Sequence, residues 1–545
     1  MLKILVSIVL LSLFGLLTVK STDLFTAMSD LEGVFDKEEK MIAAVEEYIR
    51  QERERLVKIE GKLENLRRLN REGQEDMASY LSHPFNGFLL IKRFIWEWVD
   101  LENWIKISMP SREYIFNVTG LRSKLPQQSD LDGAADALWR LQDTYKFTPA
   151  SLMEGAKMED NLKAHHSFEV GRLAYHVADD KYHAIPWMEQ AYKWLNNKTK
   201  QGDFFKLNET EILDHLAYAS FSEERLEDAA AFTDKLLLLA PDSKRYADNK
   251  AYYKYLLDKK YRPRGETGDL KGLSLEEAEE EEEEEEMDEE DLRNVHPDIR
   301  KYRALCRGDE GVVRYITKPM LQTCSYAHYN NPFLMLQPAK EEVAFVKPKI
   351  IVYHDIISDQ EIEALKNLAK PRVGCLLTFD LKNSTSGYLE QTKFRICKSG
   401  WVAHNESEVI RRIYQRVGAY TGLSMNATEF LQIANYGLGG HYLPHFDFTK
   451  DIKTTENGNR IASMLFYLSD VTKGGATVFI DAGAKIKPGK GSAIFWYNLF
   501  RNGRVDERTK HGSCPVISGS KWVANIWMRE HGQEFRRPCG IGRSE

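Results

Sequence analysis

Between residues 24 and 69, apolar side chains recur in alternating steps of three and four: Leu24, Met28, Leu31, Phe35, Ile42, Val45, Ile49, Leu56, Ile59, Leu63 and Leu66. That spacing keeps one stripe along a helix and predicts a coiled coil, interrupted where Glu38 and Glu52 fall on the seam. The alternative is an amphipathic helix folded back on its own domain, with the Phe-, Ile- and Trp-rich stretch 85–104 as the returning helix. From 140 to 258 the helical period continues in shorter segments joined by brief breaks. Ala217, Ala229 and Pro241 are spaced twelve and twelve, as the small and closing-proline positions of a tetratricopeptide-type helix pair are. Residues 168–195 read as a second pair, and stacked pairs leave a concave groove. From about 340 the period shortens to that of strands, at 350–353, 462–468, 476–480 and 493–497. Turns at Gly439-Gly440, Asn457-Gly458 and Gly474-Gly475 separate them, the pattern of two packed sheets, with 360–369 and 407–421 as helices. The expected fold is therefore α+β and multidomain.

The helical stretch is rich in tyrosine. Arg245, Asn249 and Tyr252 are spaced four and three and share a helix face; Tyr255 continues it, and Tyr218 sits on the preceding pair. Tyrosines at such spacing often pack between helices, but Arg and Asn on the same stripe favour a groove. An aromatic groove suits a proline-rich peptide, because the polyproline II helix is already extended. Residues 276–291 are almost wholly acidic and read as a solvated linker.

A net charge of -7 argues against nucleic acid as the main partner. Lys3 and the apolar run 4–19, followed by Val19-Lys20-Ser21, have the form of a signal peptide cleaved near residue 21. No later apolar stretch is long enough to span a bilayer, so no membrane span is expected. A secreted route makes the tripeptides at Asn117, Asn197, Asn208, Asn383, Asn405 and Asn426 candidate N-glycosylation sites. The cysteines all lie between Cys306 and Cys539, in a pattern that suits disulfides and lacks the Cys-x-x-Cys pairs of a zinc site.

His445 and Asp447 stand two residues apart, hence on one face of a strand, and His511 opens a later apolar segment. Two histidines and a carboxylate are the facial triad of non-haem Fe(II) oxygenases, which leaves three positions for a bidentate 2-oxo acid and oxygen. Ten residues after His511, Lys521 interrupts an otherwise apolar strand. Burying an unpaired ammonium is costly, and a bound dicarboxylate supplies the reason.

The stretch Asn435-Tyr436-Gly437-Leu438-Gly439-Gly440-His441-Tyr442-Leu443-Pro444-His445-Phe446-Asp447 resembles the iron-binding strand of prolyl 4-hydroxylases. Gly474-Gly475-Ala476-Thr477-Val478-Phe479, Phe495-Trp496-Tyr497-Asn498-Leu499, His511-Gly512-Ser513-Cys514-Pro515-Val516 and Gly532-Gln533-Glu534-Phe535-Arg536-Arg537-Pro538-Cys539 resemble later parts of the collagen-type enzyme. The whole chain is similar to its α subunit, most strongly over 340–540.

The resemblance implies a leader at 1–21, a helical coiled-coil dimerisation region at 22–139, and a peptide-substrate-binding domain at 140–258. An acidic linker and connecting segment at 259–339 and a double-stranded β-helix (jelly-roll) dioxygenase domain at 340–545 would follow. His445, Asp447 and His511 would bind Fe(II), and Lys521 the distal carboxylate of 2-oxoglutarate, with Tyr436 and Thr477 as supporting hydroxyls. The reaction would hydroxylate C4 of peptidyl proline in collagen-like X-Pro-Gly sequences, consuming O2 and converting 2-oxoglutarate to succinate, with L-ascorbate as reductant. Protein disulfide isomerase would be the β subunit of an α2β2 tetramer in the endoplasmic reticulum lumen. The chain ends without a Lys-Asp-Glu-Leu signal, so retention would depend on that partner.

Two disulfides, Cys306–Cys324 and Cys514–Cys539, are implied by the resemblance. A third, Cys375–Cys397, is inferred from a local pattern of two strand-like runs about residue 386. One position departs from the family: Arg529 stands eighteen residues beyond His511, where a histidine is expected, and its role is open. A related lysyl or prolyl 3-hydroxylase, or a non-catalytic scaffold binding proline-rich peptides, are the competing readings.

Overall fold

The computed structural model describes residues 28–106, 128–158, 162–196, 207–260, 295–313, 324–370, 374–375, 394–449 and 457–540. The expected leader and the acidic run 276–291 lie outside these residues. The chain divides into two compact units.

The first unit is built on one continuous helix, α1 (Met28–Glu75). The segment from Glu97 onward returns against it, with the helix Trp98–Lys106. Arg55 donates to the Trp104 carbonyl at 2.7 Å, and Lys62 pairs with Glu97 at 3.3 Å. Of the seam residues, Ile49 and Leu56 stay largely exposed, at 42% and 49%.

After a short helix, Met77–Ser82, the second unit continues with α2 (Pro84–Lys92) and α3 (Gln128–Tyr145). The helix hairpins α4 (Lys163–His176) with α5 (Lys181–Asn196), and α6 (Glu209–Ser222) with α7 (Leu226–Leu239), follow. Helix α8 (Lys244–Lys260) closes the stack. Small residues set the crossings: a Cβ on Gly171 would lie 2.7 Å from Met188, and Ala217 and Ala229 are buried in the second hairpin. The expected boundary at 139/140 falls inside α3, which shares one apolar core with α2, α4 and α5 through Leu131, Leu138, Phe168 and Trp187.

The strands form two main antiparallel sheets. β1 (Cys324–Ala327), β2 (Ala339–Phe345), β3 (Ile350–His354), β4 (Gly374–Cys375) and β5 (Arg395–Ile396) come first. β6 (Lys398–Val402), β7 (Leu431–Tyr436), β8 (His441–His445), β9 (Arg460–Tyr467), β10 (Lys473–Gly474) and β11 (Thr477–Phe479) follow. β12 (Ala484–Ile486), β13 (Ala493–Tyr497), β14 (His511–Ser513), β15 (Val516–Ser518) and β16 (Lys521–Arg529) complete the set. The larger sheet runs β1-β2-β3-β13-β9-β16-β7-β6-β4 and the smaller β12-β11-β14-β8-β5. Strand alternation sends Tyr436, Tyr467, Phe479, Trp496 and Val523 into one cluster between them.

Two helices cover the outer face of the larger sheet, α10 (Asp359–Ala369) and α11 (Glu408–Thr421). Their N-caps, Ser358 and Ser407, bond backbone amides at 3.3 and 3.2 Å. The smaller sheet is backed by α9 (Pro297–Arg307), whose Tyr302, Leu305 and Cys306 pack on Ala476, Val478 and Ile480. The segment 259–339, expected as linker and connector, thus contributes α9 and β1 to the folded core. The helical half is tied to the sheets by Arg140, donating to the Gly439 carbonyl at 2.9 Å, and by the Tyr145 hydroxyl on the Pro515 carbonyl at 2.7 Å. Arg303 of α9 pairs with Asp143 of α3 at 2.8 Å.

The cysteine pairing differs from expectation. Cys306 is bonded to Cys514, which excludes both Cys306–Cys324 and Cys514–Cys539. Apolar packing of α9 brings its last turn over the end of β14, while Cys324 on β1 and Cys539 near the C-terminus are exposed and unbonded. The Cys375 side chain lies outside the described residues. Its backbone pairs in register with Lys398 on β6, whereas β5 has crossed to β8 in the other sheet. The two strand-like runs therefore do not form the simple hairpin that put Cys375 opposite Cys397. Mapping of unreduced peptides should recover Cys306 linked to Cys514. Replacing that pair by alanine should cost about 2–5 kcal/mol of stability by calorimetry, since the bridge closes a loop of 208 residues. Recovery of Cys306–Cys324 and Cys514–Cys539 peptides would contradict the structure.

Candidate functional site

His445 ends β8 and His511 begins β14, and these two residues are direct partners in the strand pairing. Their rings lie 4.3 Å apart, centre to centre. Asp447, two residues beyond His445, brings its carboxylate to 3.8 Å from Nε2 of each ring. The ligand atoms of the three lie within 4.8 Å of one another, a group able to hold a metal ion.

Both Nδ1 atoms are committed to local carbonyls: His445 to Leu443 at 2.8 Å and His511 to Thr509 at 2.9 Å. This fixes the tautomers and turns both Nε2 lone pairs toward Asp447. Burial, then His511, pushes His445 down to about 3, so its ring is neutral. Burial alone would raise the Asp447 carboxyl, but His511, His445 and Arg460 together hold it down at about 2. The trio therefore offers a neutral His445 imidazole, an ionised carboxylate and the Nε2 of His511 to a cation.

A second set of groups orients the carboxylate. Ser463 on β9 donates to Asp447 Oδ2 at 2.6 Å, Asn498 donates to Ser463 at 2.9 Å, and the Trp496 indole donates to Asn498 at 2.8 Å. Asn498 is fully buried, so each bond in this chain is made in a dry setting. None of this chain was named from sequence except as part of a resembling motif; Asn498 directly after an apolar strand was the available signal.

Lys521 opens β16 and is 1% exposed. Its ammonium donates to Ser513 Oγ at 2.7 Å, and burial pushes it down to about 7. It lies 5.4 Å from the Tyr436 ring, and Tyr436 is its partner across the strands. The Tyr467 hydroxyl donates to Thr477 at 2.7 Å. One narrow cavity is lined by Tyr436, Thr477, Lys521, His445, Asp447 and His511 together, with Leu465, Trp496 and Val523 as apolar wall. Ser513 and Tyr467 were missed, because their partners are set by strand register and not by sequence spacing. A cation at one end of such a cavity and a cation-binding trio at the other suit a small anion carrying a second acidic group.

The groove candidates divide. Tyr218 is on α6, and Arg245, Asn249, Tyr252 and Tyr255 on α8. Arg245 bonds Asp214 of α6 at 2.9 Å. Tyr252 meets Phe221 at 5.9 Å, and Tyr218 lies 6.4 Å from Phe221 and 6.2 Å from Tyr175. Tyr218, Tyr252 and Tyr255 are more than half exposed, so the rings line a surface instead of filling a core. Tyr175, His215 and Phe221 extend the ladder and were missed; Tyr175 and His215 lie 4.8 Å apart on α4 and α6. Asn249 is half-buried on the same helix.

Arg529 ends β16, eight residues from Lys521, and pairs with Glu429 at 2.7 Å. Of the candidate glycosylation sites, Asn208, Asn405 and Asn426 are exposed, and Asn208 also caps α6. Asn117, Asn197 and Asn383 lie outside the described residues.

Residues 27–159 match the family model described as the prolyl 4-hydroxylase alpha-subunit N-terminal region. Residues 164–259 match the prolyl 4-hydroxylase peptide-substrate-binding domain, and 431–529 the 2OG-Fe(II) oxygenase superfamily. The chain is 39% identical over 531 residues to prolyl 4-hydroxylase subunit alpha-1 of Homo sapiens, covering 96% of each. It is 38% identical over 527 residues to subunit alpha-2 of Gallus gallus, covering 95% of each. Against subunit alpha-2 of Caenorhabditis elegans the identity is 37% over 532 residues, covering 95% of this chain and 94% of the other.

The buried Ser463–Asn498 chain should matter to metal binding without touching the metal. Asn498→Leu should weaken Mn(II) affinity about 10–100-fold in equilibrium titration, as loss of a ligand's orienting partner does. Unchanged affinity in a folded variant would remove the chain from the site.

Proposed function

The chain belongs to the prolyl 4-hydroxylase α-subunit family, and from that premise we propose that it hydroxylates C4 of peptidyl proline in collagen-like X-Pro-Gly sequences. The carrying observation is the single cavity that joins His445, Asp447 and His511 to the buried cation Lys521. The donor set fits Fe(II): two imidazole Nε2 atoms and one carboxylate gathered on one side, with tautomers already fixed. Bound there, Fe(II) would supply the oxidising chemistry that couples decarboxylation of 2-oxoglutarate to succinate with insertion of oxygen from O2 into a C–H bond.

The chain's own residues do the rest by binding, orienting and excluding water. Lys521 receives the distal carboxylate of the cosubstrate and shares it with the Ser513 hydroxyl. Arrival of that anion favours the ammonium form, so a proton settles on Lys521 Nζ. Thr477 and Tyr436 supply hydroxyls along the cavity, and Trp496, Leu465 and Val523 close its wall against water. Ser463 and Asn498 hold the Asp447 carboxylate in one orientation.

Substrate capture is assigned to the helical groove. Tyr218, Tyr252 and Tyr255 offer exposed rings to proline, while Arg245 and Asn249 supply donors to the peptide backbone. The wider setting follows from the family resemblance: L-ascorbate as reductant, and protein disulfide isomerase as β subunit of an α2β2 tetramer. The exposed seam residues Ile49 and Leu56 of α1 are read as part of the contact between two α subunits. The N-terminal apolar run and the Cys306–Cys514 bridge favour the oxidising lumen of the endoplasmic reticulum.

Incubation with a collagen-like peptide, 2-oxoglutarate, ascorbate and Fe(II) should yield 4-hydroxyproline and succinate. His445→Ala, Asp447→Ala and His511→Ala should each reduce turnover to background while peptide binding persists. Hydroxylysine or 3-hydroxyproline as the product, or turnover in those variants, would overturn the reading. In the groove, Tyr252→Ala and Arg245→Ala should weaken binding of a proline-rich peptide by about 1–3 kcal/mol in calorimetry without lowering Tm. Affinity unchanged in both would return these residues to a packing role.

A further inference from the structure

At the position where the family leads one to expect a histidine, Arg529 is built into a clamp. Arg460, the first residue of β9, grips Glu429 with a two-pronged contact, Nε to Oε1 at 2.6 Å and Nη2 to Oε2 at 2.7 Å. Arg529 joins the same carboxylate from the end of β16, at 2.7 Å to Oε1. With its other arm it donates to the Gly458 carbonyl at 2.9 Å, two residues before Arg460. The third arm of Arg460 donates to the backbone carbonyl of Asp447 at 3.3 Å, and its guanidinium lies 4.0 Å from the Trp527 ring centre. A parallel tie runs beside it: Asn459 bonds the Thr449 amide and carbonyl at 3.0 and 2.8 Å. The segment leaving Asp447 is thus fastened to the start of β9 and the end of β16.

Arg529 is remote from Lys521. Eight residues of strand separate them, about 26 Å along β16, so the two cations serve opposite ends of the site. The arrangement also explains why arginine can stand here. A neutral imidazole has one N–H, so it can reach a carboxylate and a carbonyl with two donors only while protonated; a guanidinium presents both donors and is always charged.

We infer that Arg529 is a positioning residue of the metal site, acting through Glu429 and Arg460 on the backbone of Asp447 and not on the cosubstrate. The inference rests on the proposed role of the trio, and it is stated for this chain's arginine specifically. Arg529 contacts no ligand itself. It fixes the start of β9, which supplies both the Arg460 contact to the Asp447 carbonyl and the Ser463 contact to its carboxylate.

The test uses the assembled full-length protein and Mn(II) as a redox-inert probe, with affinity read by electron paramagnetic resonance. Arg529→Ala should weaken Mn(II) at least 10-fold. At saturating metal, the KM for 2-oxoglutarate should change less than 3-fold. Arg529→His makes the clamp titratable: its Mn(II) affinity relative to wild type should approach one near pH 6 and fall several-fold by pH 8. A residue that merely stabilised the fold would lower Tm without producing that pH-dependent ratio. Should Arg529→Ala fail to fold, the Arg529→His ratio still decides. Mn(II) affinity within 2-fold of wild type, a flat ratio, or a 2-oxoglutarate KM that moves in place of metal affinity would overturn the inference. Wild-type protein that binds no Mn(II) would instead remove the metal site itself.

Discussion

The ammonium of Lys521 has been taken out of water with a hydroxyl, not a carboxylate, as its hydrogen-bond acceptor. Among the described residues it makes no ion pair, and an uncompensated buried cation is among the costlier things a fold can hold. The fold tolerates it because the lysine can shed its proton, as its value near 7 indicates. The same strain makes the site receptive. An anion entering the cavity restores the charge and gains a partner that water cannot displace. Most features of the β half serve to keep this lysine and the His445–Asp447–His511 trio at opposite ends of one dry space.

Strand register does that positioning. His445 opposes His511, and Tyr436 opposes Lys521, so the two sheets deliver both ends of the cavity from four strands. The back of β14 is then fixed by α9. Tyr302 donates to the Ser513 carbonyl at 2.7 Å, and Cys306 bridges to Cys514. Ser513 is also the residue that holds Lys521. Through Arg303 and Asp143 the same helix is bound to α3, and His183 of α5 bonds Asp143 at 3.0 Å. Burial would lower His183, but the hydrogen bonds it donates to the Asp143 and Asp180 carboxylates outweigh that and raise it to about 9, so it stays charged past neutrality. Helices α3, α5 and α9 and the strand that bears His511 are therefore parts of one connected polar network.

Much of this was legible in the sequence, for identifiable reasons. His445 and Asp447 are read from a spacing of two on a strand, and Lys521 from its incongruity in an apolar run. The helix hairpins announce themselves by Ala217 and Ala229, where only small side chains fit. What sequence could not reveal are contacts made by register between distant strands: Ser463 and Asn498 on Asp447, and Ser513 on Lys521. The Cys306–Cys514 bridge belongs to the same class. It depends on how α9 docks, and the pairing implied by the family resemblance gave Cys306 and Cys514 other partners. Arg529 looked like an anomaly beside the family pattern until Glu429 and Arg460 supplied its partners. Likewise Tyr175 and His215 join the groove only once α4 and α6 are stacked.

The central claim is that Lys521 is the anion anchor of a 2-oxoglutarate site. Calorimetric titration of the Mn(II)-loaded protein with 2-oxoglutarate at pH 8, in buffers of different ionisation enthalpy, measures protons exchanged on binding. With the free lysine near 7, the account predicts uptake of about 0.9 proton per site, absent in Lys521→Met, by simple titration of one group. Tight binding with no proton uptake by the wild-type protein, or uptake that survives in Lys521→Met, would contradict it.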